Sequence, residues 1–81
     1  MARYWVVEAT YPLPFKADLD NRLEQLAGPR TGSGAGFGQR DMDWTFTHGE
    51  TAKEKLAILL EFAKSHEMTV RITEHDDEED E

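Results

Sequence analysis

The pattern of apolar residues predicts an α+β fold with the element order βαββαβ, and three observations lead to it. Residues 15–26 and 52–63 repeat apolar side chains every three or four positions, the period of a helix lying on a core. Residues 3–11, 31–47 and 68–73 are instead β-branched and aromatic, or alternate with period two, as pleated strands do. Proline and glycine punctuate the joins at Pro12, Pro14, Gly28-Pro29 and Gly38.

Each element has its own signals. Tyr4, Trp5, Val6, Val7 and Tyr11 suit a central strand that Pro12 and Pro14 end. Phe15, Leu19, Leu23 and Leu26 mark a helix with Asp18 as its expected N-cap and Gly28-Pro29 as its stop. Between Thr31 and Thr47 we expect a hairpin turning near Gly38-Gln39-Arg40. In its first arm Ser33, Ala35 and Phe37 alternate with glycines. In its second, Met42, Trp44 and Phe46 enter the core while Asp41 and Asp43 take the opposite face. Thr51 and Glu54 have the spacing of a capping box, and Ala52, Leu56, Leu59, Leu60 and Ala63 form an apolar stripe toward His66, with Ile58 and Phe62 at its flank. The last strand is expected from Met68 to Thr73, with Met68, Val70 and Ile72 inward.

With right-handed crossovers this order resembles the ferredoxin-like split βαβ, a two-layer sandwich of a four-stranded antiparallel sheet with two helices on one face. The resemblance implies that the first and third strands are central, the second and fourth are edges, and one sheet face is open. It implies no activity, because this superfold hosts many.

The chain has 81 residues and a net charge of −8, nearly all of it from seven acidic residues among positions 74–81. Residues 1–73 carry ten acidic and nine basic side chains, so we read 1–73 as a single near-neutral domain and 74–81 as an acidic, disordered tail. There is no cysteine, which excludes disulfides, a thiol nucleophile and thiolate metal sites, and fits a cytoplasmic location. No apolar run approaches the roughly 20 residues of a membrane span, and Met1-Ala2-Arg3-Tyr4-Trp5 lacks the layout of a signal peptide, so no membrane association is expected.

The run Gly32-Ser33-Gly34-Ala35-Gly36-Phe37-Gly38 invites a phosphate-binding reading, but neither register completes G-x-G-x-x-G and no Gly-Lys-Ser/Thr follows. It reads as an edge strand whose glycines allow close backbone approach. The open face presents Tyr4, Val6, Glu8 and Thr10 beside Asp41, Asp43, Thr45 and Thr47, with Arg71 on the neighbouring edge placed to pair with one of the aspartates. Its carboxylates repel a phosphate backbone and only Tyr4 can stack on a base, so direct nucleic-acid binding is not expected. His48, His66 and His75 share no ligand spacing, and Ser33 and Ser65 belong to no nucleophile motif. No catalytic residue, metal or cofactor is therefore assigned.

Three functions are compatible with this reading. The first is a small non-catalytic module that binds another protein, or a second copy of itself as a homodimer, through the open face or the glycine-rich edge; its candidate surface is Tyr4, Val6, Glu8, Gly34, Gly36, Asp41, Asp43, Thr45 and Arg71. The second is an acidic inhibitor of a nucleic-acid-binding enzyme, similar to the anti-CRISPR antagonists of phage and mobile elements. The third is a small dimeric ferredoxin-like enzyme, for which Tyr4, Glu8, Asp43 and His48 are the residues to test.

Overall fold

In the computed structural model, which describes residues 3–76, strand β1 (Arg3–Pro12) alternates strictly: Val7, Ala9 and Tyr11 are buried while Val6, Glu8 and Thr10 are half-buried on the other side. It pairs antiparallel with β3 (Gln39–Phe46) on one side and β4 (Thr69–Asp76) on the other. With β2 (Gly32–Gly36) beyond β3, the sheet order is β2-β3-β1-β4, the ferredoxin-like arrangement. Helices α1 (Ala17–Ala27) and α2 (Gly49–Ala63) cover one face, where Leu23, Ala27, Ala52 and Leu59 close over Val7, Ala9, Met42 and Trp44. Among the described residues no helix is long and apolar enough to cross a membrane.

Both helix starts differ from expectation. The N-cap of α1 is Lys16, not Asp18, and makes no side-chain capping bond. The reason is tertiary: the Lys16 amide donates to the hydroxyl of buried Tyr11 at 3.2 Å, which fixes the chain two residues earlier and leaves Asp18 exposed in the first turn. Phe15 precedes the helix, and the Arg40 guanidinium lies 5.0 Å over its ring. At α2 the N-cap is His48, again without a side-chain bond, and the Thr51–Glu54 box does not form because Thr51 already sits inside the helix. The buried line of α2 runs through Ala52 and Leu59, with Leu56 and Phe62 packed beside it; Leu60, expected in the stripe, is turned outward and 43% exposed.

The hairpin turns on Phe37-Gly38, one residue ahead of the expected Gly38-Gln39-Arg40, since Gly36 already pairs with Gln39. Phe37 and Gly38 have φ of 54° and 78°. Two successive positive-φ residues make the primed turn whose twist matches the flanking strands. Phe37 therefore leaves the alternation of Ser33 and Ala35, and Arg40 becomes a strand residue on the helix-covered face. At the end of α1, Gly28 (φ 99°) donates its amide to the Glu24 carbonyl at 2.7 Å and accepts the indole N–H of Trp44 at 2.7 Å, which ties the helix end to the core.

Strand β4 runs three residues past the expected Thr73. Glu74, His75 and Asp76 pair with Trp5, Tyr4 and Arg3, and Arg3 meets Glu74 at 3.3 Å and Asp76 at 3.4 Å. A basic residue on the neighbouring strand thus draws the first part of the acidic run into the sheet. The rest of the expected tail, residues 77–81, lies outside the described residues.

Candidate functional site

Pairing register assembles the open face in rows. Thr73, Val6 and Thr45 form one, Arg71, Glu8, Asp43 and Gly32 the next, and Thr69, Thr10, Asp41 and Gly34 the third. All nine residues of the predicted surface fall on this face or on β2 at its edge. They do not form one site. Tyr4 stands four residues along β1 from Glu8, about 13 Å away at the usual strand rise, and its ring stacks on His75 with centroids 4.8 Å apart. His48 caps α2 beyond the end of β3. Within one protomer Glu8 and Asp43 are direct cross-strand neighbours, while Tyr4 and His48 stand apart from them.

Arg71 pairs with neither aspartate. Its Nε lies 2.7 Å from Oε1 of Glu8, its direct cross-strand neighbour, so the cation is engaged two strands away from β2. Among the described residues the side-chain carboxylates of Asp41 and Asp43 have no ion pair and accept no hydrogen bond, while the Asp43 carbonyl accepts the Thr31 amide at 2.8 Å. Both side chains lean toward β2. A Cβ placed on Gly32 would stand 3.0 Å from Oδ1 of Asp43, and one on Gly34 3.1 Å from Oδ1 of Asp41. The two carboxylates thus fill the space that β2 side chains would occupy, roughly 7 Å apart along the strand.

Among the described residues, strand β2 is bonded to β3 only and packs substantially against no other element. Both of its faces are shallow, for Ser33 and Ala35 on the helix side are exposed. At its end Phe37 projects fully into solvent. An aromatic residue in the left-handed region is strained, and this one buries nothing in return. Among the described residues no group of three or more His, Asp or Glu side chains is placed to hold a metal ion.

The most developed polar cluster was not visible in the sequence. Asp20 on α1 is 3% exposed; its Oδ1 accepts the Tyr11 hydroxyl at 2.6 Å, and its Oδ2 accepts Arg40 Nη2 at 2.8 Å and Nε at 3.2 Å. Arg30 approaches the same carboxylate at 4.0 Å and bonds Glu24 at 3.5 Å. Burial, and then the bond to Asp20, push the Tyr11 phenol above its usual 10.0, and the bond to Asp20 raises Arg40 further. Every member has a partner among the described residues. It joins α1 to the end of the sheet and is structural. Its one sequence signal was Arg40, which parity on β3 puts in phase with Met42 and Trp44 once the turn is set correctly.

Compared with family models, curated proteins and solved structures, the chain matches none.

Proposed function

We propose that this protein is a small interaction module that accepts an extended segment of a partner protein on the outer edge of β2. The carrying observation is the edge itself, a glycine-lined strand bonded on one side only and ending on the exposed Phe37. Because Gly36 and Gln39 flank a two-residue turn and bond each other, the antiparallel ladder directs the backbone amides and carbonyls of Ser33 and Ala35 outward. A strand docked there gains main-chain hydrogen bonds, and no bulky β2 side chain obstructs its approach. The partner is another protein rather than nucleic acid, which the Asp41 and Asp43 carboxylates repel. The cysteine-free composition suits a reducing compartment, and we place the module in the cytoplasm.

The test is amide hydrogen exchange of the full chain by NMR, with a panel of short extended peptides added. The Ser33 and Ala35 amides are expected to become protected, and Ala35→Pro, which removes one outward donor, to abolish that protection. Peptides that protect amides elsewhere, or none, would overturn the reading. Light scattering on the same samples identifies a second copy as occupant if mass doubles without peptide.

A further inference from the structure

Resting on that edge reading, we infer that the docked segment is basic, carrying Lys or Arg at alternate positions on the side that faces the open sheet. The argument is one of reach and unneutralised charge. A strand added to β2 lies about 5 Å beyond it and about 10 Å from β3. At most strand edges a neighbour's side chains meet those of the edge strand. Here the edge offers Gly32 and Gly34, and the first groups met are the Oδ1 atoms of Asp43 and Asp41, already displaced toward β2 to within 3.0 and 3.1 Å of where its Cβ atoms would be. A lysine or arginine two strands away from β3 therefore crosses a glycine and reaches a carboxylate directly.

Charge selects the same occupant. Among the described residues of the open face, Glu8, Asp41 and Asp43 oppose one cation, Arg71, which Glu8 holds. The two carboxylates beside β2 are left uncompensated, and an added strand with cations at positions i and i+2 matches their spacing, because both repeat every second residue. Toward the helix side the intervening residue of the segment meets only the small side chains of Ser33 and Ala35, so that position tolerates any residue. Phe37 provides an apolar contact at the end of the track. A second copy fits less well: its β2 has no cation, and its β4 shows the open face only Arg71 beside Thr69, Thr73 and His75.

Three eight-residue peptides of one alternating sequence, differing only in whether the open-face positions hold Lys, Gln or Glu, test this against the full-length protein. The Lys peptide is expected to bind about five- to tenfold more tightly than the Gln peptide, as two solvent-exposed ion pairs allow, with the gap shrinking as salt rises. The Glu peptide is expected to bind weakest. In the double variant Asp41→Asn/Asp43→Asn the preference for Lys should fall below twofold while the Gln peptide binds unchanged. If Gln and Lys peptides protect Ser33 and Ala35 with equal affinity, the charge inference fails and the edge reading stands. If the double variant keeps the full preference for Lys, the cations are bound elsewhere, the acidic C-terminal residues included, and the inference is overturned. If no peptide protects β2, both fall. The two Asn substitutions lie on the solvated face, and unchanged thermal melting of the variant confirms that the fold is intact.

Discussion

The two faces of the β2–β3 hairpin treat polar groups in opposite ways. At the corner where Arg40 meets α1, a carboxylate, a phenol and a guanidinium are buried together and satisfy one another. Along β2, two carboxylates and a row of backbone groups have no protein partner among the described residues. A buried charge without its partner is costly enough that the corner has one workable arrangement, whereas solvent-facing groups cost little to leave open and remain available for another molecule. Within twenty-odd residues the chain thus contains a place where polarity specifies the fold and a place where it is spare.

The sharpest way to break this contrast is at the corner. Asp20→Ala strands the Arg40 guanidinium and is expected to destabilise the fold by about 3–5 kcal/mol, a large part of a small domain's stability, read from chemical denaturation. The paired change Asp20→Leu with Arg40→Met should recover most of the loss; failure to recover any would show that the cluster does more than join α1 to the sheet. A smaller effect is expected at β4. A chain ending at Thr73 lacks the Arg3 ion pairs and the Tyr4–His75 stack that one ending at Asp76 retains, and should be about 1–2 kcal/mol less stable in the same assay.

At the edge the sign reverses. Phe37→Asn makes the Asn-Gly pair that the primed turn favours, and should stabilise the protein by about 1 kcal/mol while weakening peptide protection of β2. A loss of stability instead would mean that the Phe37 ring supports the fold. Alkaline titration separates the two regions again. Because folding holds the Tyr11 phenol neutral above its usual 10.0, its contribution is intact below about pH 10 and is lost as pH rises through the raised value. Denaturation midpoints should fall more steeply with pH for the natural chain than for Tyr11→Phe over that range. The least effect belongs to Arg71→Ala, whose largely exposed pair with Glu8 is expected to contribute no more than about 0.5 kcal/mol.

Alternation along residues 4–11 and 40–46 made the two faces of the sheet legible, down to Asp41 and Asp43 standing opposite Met42 and Trp44. The glycine face of β2 was legible from the same period, and its place at the edge from the resemblance to the ferredoxin-like order. What could not be read were the positions at which a distant partner decides. Tyr11 moved the start of α1 from Asp18 to Lys16, Arg3 pulled Glu74–Asp76 into β4, and Glu8 took Arg71 from the aspartates.

By itself the sequence determined the element order, the fold class and which side chains share a face, because these depend on periods of 2 and 3.6 residues that are local properties of the chain. Only the tertiary structure decided that Asp20 and Arg40 are buried together, that Phe37 stands alone at the turn, and that the aspartates lean over glycines toward an open edge. Those outcomes depend on contacts between residues far apart in sequence, whose energies are set by burial and by the competition among neighbours for the same charge.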